Sequence, residues 1–182
     1  MSKIYFVDGY GGSPPVNWLA TEMRKLNDTF EVEQIFIGNP TVANVEDWDR
    51  DIEKGIVEAE QSYFVCHSLG YISLLRFLLR NRVVPKGCLF VSPFQQSVED
   101  FPEFDAYFEE IDLQKLSDKL KDSIVISAEN DEIIPWQYSQ LVAKKLHIPF
   151  LLLPEGNHFR SSDGIIEFPE VSDFAFQYWN EE

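Results

Sequence analysis

Tyr63-Phe64-Val65-Cys66-His67-Ser68-Leu69-Gly70-Tyr71-Ile72 is the stretch on which the reading of this chain turns. Ser62 to Cys66 is apolar and β-prone, and Tyr71 to Leu79 is almost wholly apolar over a helix-sized length. A buried strand therefore passes into a buried helix through Ser68. So sharp a turn strains the serine backbone and exposes its hydroxyl, and only small residues two places to either side avoid a clash. Gly70 meets that need on one side, and the small Cys66 nearly meets it on the other.

The same alternation extends in both directions. Lys3 to Val7 reads as a strand ending in Asp8-Gly9-Tyr10-Gly11-Gly12-Ser13, whose glycines permit a tight loop. From Pro14 onward, Val16, Leu19, Ala20, Met23 and Leu26 recur at helical spacing. Phe30 to Ile37 predicts a second strand, and Asn44 can cap a helix carrying Val45, Trp48, Ile52 and Ile56 on one face. Cys88 to Val91, Ile124 to Ser127 and Phe150 to Leu153 are short apolar runs of the kind that fill a central parallel sheet. Tyr138, Leu141, Val142 and Lys145 mark one later helix, and Val171, Phe174, Ala175 and Tyr178 another.

Strands separated by helix-sized segments predict right-handed crossovers and a three-layer α/β/α sandwich around a mostly parallel sheet of about six strands. The whole of 1–182 is expected to be one domain, a size that can bury its own core. Gln95 to Lys121 breaks the rhythm: it is acidic, with Phe101, Phe104, Tyr107, Phe108 and Ile111 at roughly helical spacing. It is expected to be either a small lid or an ordinary crossover helix.

Fifteen basic residues against 31 acidic ones leave a formal charge of -16, which opposes binding to nucleic acid and to anionic membranes. The apolar run after Met-Ser-Lys is too short for a signal-peptide core, and nothing approaches a bilayer span, so a cytoplasmic setting is expected. Cys66 and Cys88 lack metal-motif spacing and read as reduced, buried thiols.

A serine hydroxyl is a poor nucleophile without a base to take its proton and an acid to orient that base. His67 adjoins the serine with its side chain expected to point away, supporting the turn. His147 follows Lys144 and Lys145 at a helix end, where a structural role suits it. His158, in Pro154-Glu155-Gly156-Asn157-His158-Phe159, follows the sixth strand, where sites of open parallel sheets gather. It is the preferred base. The preferred acid is Asp131 in the loop after the fifth strand, with Glu129 and Glu132 of the same loop as alternatives and helix capping as the competing role.

With Cys66 in place of the usual first glycine, the turn at Ser68 resembles the Gly-x-Ser-x-Gly elbow of the α/β-hydrolases. More narrowly, the chain resembles the small serine hydrolases of the retinoblastoma-binding protein 9 and YdeN group. That resemblance rests on the N-terminal glycine-rich loop, Asn17-Trp18, Trp48, the short elbow, Glu129-Asn130-Asp131 and Gly156-Asn157-His158-Phe159, in that order. It implies an esterase-like or amide-cleaving hydrolase with Ser68 as nucleophile, Asp131 as acid and His158 as base, acting on a small molecule without metal or organic cofactor. The oxyanion donors would be the Leu69 amide and one from Asp8-Gly9-Tyr10, with Tyr10 preferred and Gly9 next; Asp8 stands where many hydrolases have histidine.

Phe94 and Phe159 are candidate pocket walls, core packing being their competing role. A nucleotide-binding reading of Gly9, Gly11 and Gly12 fails because Pro14 takes the third glycine's place and no Lys-Ser or Lys-Thr phosphate loop follows. The remaining competitor is a hydrolase-fold protein that binds a protein or ligand without turnover.

Overall fold

A computed structural model describes residues 1–12, 17–109 and 111–180, so Pro14 and Val16 of the expected first helix lie outside the described residues. Among those described, the strands are β1 (Lys3–Val7), β2 (Glu31–Gln34), β3 (Ser62–His67), β4 (Gly87–Val91), β5 (Ile124–Ala128) and β6 (Phe150–Leu153). The α-helices are α1 (Asn17–Leu26), α2 (Val45–Gly55), α3 (Leu69–Asn81), α4 (Trp136–Leu146) and α5 (Pro169–Tyr178). One sheet takes the order β2-β1-β3-β4-β5-β6 with every pairing parallel.

The two-residue period of a strand sorts its side chains between two cores. Tyr5 and Val7 of β1, Phe64 and Cys66 of β3, and Cys88 and Phe90 of β4 face a core completed by Trp48, Ile52, Leu74 and Val142 of α2, α3 and α4. Ile4 and Phe6, Tyr63 and Val65, and Leu89 and Val91 face the opposite core, which α1 and α5 close with Trp18, Leu26, Val171 and Ala175. Each such side chain contributes about 1.5–3 kcal/mol on full burial, which is why β3 and β4 are buried at every position. Asn44 caps α2 through its side chain, which accepts the Asp47 N–H at 2.9 Å.

Two expectations need correction. The second strand is shorter than Phe30 to Ile37, because β2 is an edge strand and the chain beyond Ile35 turns away toward Pro40, whose carbonyl accepts the Gly11 N–H. Gln95 to Lys121 contains short 3₁₀ helices at Pro102–Phe108 and Leu113–Lys115 instead of a crossover α-helix. Its aromatic residues still turn inward, Tyr107 packing edge-on against Trp48 and Phe104 against Phe94. Some of its carbonyls, however, accept from side chains: Arg76 of α3 donates to Tyr107 O and Glu109 O, and Gln95 donates to Ile111 O. Those acceptors are thereby diverted from a continuous helical ladder. Among the described residues no helix is long and apolar enough to cross a membrane.

Candidate active site

Strand register decides what can meet at the carboxyl rim of the sheet. Val7 pairs with Cys66 and Cys66 with Phe90, so the segments leaving β1, β3 and β4 through Asp8, Ser68 and Ser92 emerge side by side. β1 lies between β2 and β3 and is the point where the strand order reverses, the usual position of a site in an open parallel sheet.

Ser68 is the turn between β3 and α3, with φ 51° and ψ −121°, a positive-φ conformation outside the left-handed helical region that costs a non-glycine residue about 1–3 kcal/mol. Close packing maintains it. A side chain at Gly70 would run into the Val7 carbonyl oxygen, and one at Gly9 would lie 2.9 Å from Ser68 Cβ, so both glycines let the β1 loop rest against the elbow. Although Ser68 occupies the N-cap of α3, its hydroxyl makes no capping bond. It points instead to His158, with Oγ 3.0 Å from Nε2.

On the other side of that ring, Nδ1 lies 2.9 Å from Asp131 Oδ2. An ionised carboxylate only accepts, so Nδ1 carries the proton and donates, leaving Nε2 to accept from the serine. Burial pushes the His158 pKa below its ordinary value, with the neighbouring His67 charge adding to that effect against the opposing pull of Asp131. Burial and the His67 charge thus favour the neutral imidazole.

Asp131 is oriented by both of its oxygens. Oδ1 accepts the Ile133 and Ile134 N–H groups at 2.9 and 2.8 Å, while Oδ2, besides meeting His158, accepts the Ser92 hydroxyl at 2.8 Å. Ser92 is fully buried and escaped the sequence reading, since its contact spans 39 positions and depends on strand register. Its position directly after β4, like that of Ser68 after β3, was the available signal. Asn130, beside Asp131, accepts the Asn157 N–H at 2.9 Å and ties the acid loop to the histidine loop.

The β1 loop shows why Asp8 can stand where a histidine was expected. Its Oδ1 accepts the Gly9 N–H at 2.8 Å and meets His67 Nδ1 at 3.0 Å. The Gly9 amide is therefore engaged by the Asp8 carboxylate. Among the described residues no acceptor meets the amides of Tyr10 or Leu69, and the latter begins α3, where the helix dipole favours negative charge.

Phe94 and Phe159 are packed away from solvent at 0% and 2% exposure, Phe94 among Phe104 and Phe108 and Phe159 stacked on Phe168 at 4.6 Å. These contacts are those of core packing, the competing role. The Tyr10 ring is open to solvent and meets Phe101 and Phe104 edge-on, so it presents an apolar surface beside the elbow. Cys66 and Cys88 are free and buried, and burial raises both thiol pKa values, so neither acts as a thiolate. His147 caps the end of α4 in a left-handed conformation, and its Nδ1 lies 2.9 Å from Asp118 Oδ1 at an exposed position. Among the described residues no cluster of His, Cys, Asp or Glu could hold a metal ion.

A parallel sheet flanked by helices, with a serine at a strained strand-to-helix turn, is the architecture of an α/β-hydrolase. The chain belongs to the serine hydrolase family, whose model matches residues 4–176. It is 29% identical to the Bacillus subtilis hydrolase YdeN over 99% of this chain and 97% of that protein. The crystal structure of the B. subtilis ydeN gene product superposes with a TM-score of 0.90, at 26% identity and with both chains fully covered. Est1E from Butyrivibrio proteoclasticus, solved with ferulic acid bound, shares the fold at a TM-score of 0.72 and 13% identity, over 100% of this chain and 90% of that one.

Proposed function

We propose that this protein cleaves a small ester or amide through an acyl-enzyme intermediate, with Ser68 as nucleophile, His158 as general base and Asp131 as the orienting acid. The observation that carries this reading is the placement of Ser68 and Asp131 on opposite nitrogens of one buried imidazole, at 3.0 and 2.9 Å. Such an arrangement passes a proton through Nε2 while Nδ1–H stays bound to the carboxylate.

The hydroxyl oxygen attacks the substrate carbonyl as its proton moves to Nε2. The resulting oxyanion is met by the Leu69 amide at the start of α3 and by the Tyr10 amide, both in place before reaction. His158 then protonates the departing alcohol or amine, and water, activated by the same nitrogen, releases the acid and regenerates Ser68. Tyr10 and Phe101 form an apolar rim suited to the substrate's hydrocarbon portion. The buried free thiols fit a reducing compartment, and we place the protein in the cytoplasm.

Rapid mixing with p-nitrophenyl acetate tests the reading. It predicts a burst of nitrophenolate near one equivalent per protein, absent in Ser68→Ala. A folded protein that binds ester and aminoacyl-amide probes without turning any over would identify a binding module instead.

A further inference from the structure

The elbow histidine has an environment that the proposed chemistry does not explain. His67 is buried on the α1 and α5 side of the sheet, where Trp18 meets its ring edge-on. Its Nδ1 lies 3.0 Å from Asp8 Oδ1, and its Nε2 lies 2.8 Å from the main-chain oxygen of His158. A carbonyl oxygen can only accept, and so can an ionised carboxylate. Both ring nitrogens must therefore donate, which makes His67 an imidazolium.

These two bonds join the β1 loop, which carries Gly9 and Tyr10, to the loop after β6, which carries His158. The same Asp8 oxygen also holds the Gly9 N–H, so the loop bearing the Tyr10 amide is fixed at its first residue. Trp18 Nε1 donates to Phe159 O at 2.8 Å and holds the histidine loop from α1 as well. That loop requires holding, because Asn157 and Phe159 on either side of His158 both have left-handed φ values, 48° and 55°.

We propose that Asp8 and a doubly protonated His67 form a charged brace that positions His158 and the Tyr10 amide for turnover. His67 is a positioning residue; it reaches the reaction through the backbone of His158 and through its charge. The inference rests on the proposed roles of Ser68 and His158. The two imidazole rings lie 5.1 Å apart, close enough for a cation in one to disfavour a second cation in the other. Burial lowers the His67 pKa, but the Asp8 carboxylate and the His158 carbonyl together lift it above the ordinary value, with Asp131 adding to the rise. The charged groups facing this pair are Asp8 from the β1 loop, Asp131 from the β5 loop, and Arg160 and its ion-pair partner Asp163 from the segment after β6, while α1 contributes the uncharged Trp18.

With His67 charged, His158 gives up its proton at lower pH, so the acid limb of kcat/KM lies below that of an ordinary histidine. Removing the charge in His67→Gln, which can keep a donor toward the His158 carbonyl, moves that limb upward by about half a pH unit or more. It also lowers kcat roughly tenfold or more, as loss of a charge-assisted hydrogen bond in the supporting shell would. Asp8→Asn keeps the shape of the loop and is expected to move the limb the same way, because His67 loses its counter-ion and its second proton.

Nitrogen-15 NMR of the wild-type protein at pH 7 reads the protonation state of His67 without substrate. Two protonated ring nitrogens on His67 and one on His158 are expected. A single proton on His67, or an unmoved acid limb in folded His67→Gln, overturns the brace. Failure of the underlying reading shows separately, as undiminished turnover by Ser68→Ala.

Discussion

Among the described residues, two clusters bring serine, histidine and aspartate together, and their difference explains why composition alone does not make a site. In the first, Ser68 and Asp131 meet opposite nitrogens of a buried His158. In the second, Ser117 Oγ and Asp118 Oδ1 both approach Nδ1 of His147, at 3.2 and 2.9 Å, on an exposed surface. One nitrogen cannot take a proton from the serine while donating one to the carboxylate, so the second cluster has no relay. Its Asp118 pKa is lowered chiefly by the bond to His147, but that carboxylate is solvated and an ion pair so exposed contributes little. Opposite nitrogens and exclusion of water separate a chemical arrangement from a surface contact.

The largest expected contrast comes from deleting the equivalent group in each cluster. Ser68→Ala and His158→Ala should lower kcat/KM by about three to six orders of magnitude with the fold retained, while Ser117→Ala and His147→Ala stay within about twofold of wild type. Steady-state ester hydrolysis with circular dichroism as a folding control measures both. A comparable loss from either His147 or Ser117 would erase the distinction drawn here.

Asp131→Asn gives a somewhat smaller effect, about two to four orders of magnitude, since the amide can donate to Nδ1 and turn the ring to the wrong tautomer. Hydroxide can take the serine proton that the mis-oriented ring no longer accepts, so activity of that variant is expected to recover partly in alkaline buffer. The same change at Asp118 leaves the pH profile unaltered.

How much of this was legible in the chain follows from the range of each interaction. The Ser68 turn is local: the apolar strand before it, the apolar helix after it and the small Gly70 all lie within a dozen positions. Asp131 and His158 were placed near one another by the rule that loops leaving parallel strands share a rim, and the structure brings them to 2.9 Å. What that rule lacks is register. The Ser92 bond to Asp131 and the Asp8 bond to His67 join residues 39 and 59 positions apart, and a one-residue slip of any strand would separate them. The Gln95 to Lys121 segment misled for a different reason. Its aromatic spacing fits a helix, but Arg76 lies on another element and takes carbonyls that a helix would need.

Ser92→Ala is the finest of the proposed changes. It removes one of the donors to Asp131 without altering side-chain charge, so kcat should fall by about three- to thirtyfold and stability by about 1–3 kcal/mol. Urea unfolding alongside ester turnover separates the two effects. Unchanged kinetics would mean that His158 and the Ile133 and Ile134 amides suffice to orient the carboxylate.

The most direct measurement of the central claim is labelling of the intact protein with a fluorophosphonate, followed by peptide mass spectrometry. The account predicts one adduct, on Ser68, abolished by His158→Ala and indifferent to His147→Ala. An adduct on Ser117, or none on folded protein under conditions that label a control serine esterase, would contradict it.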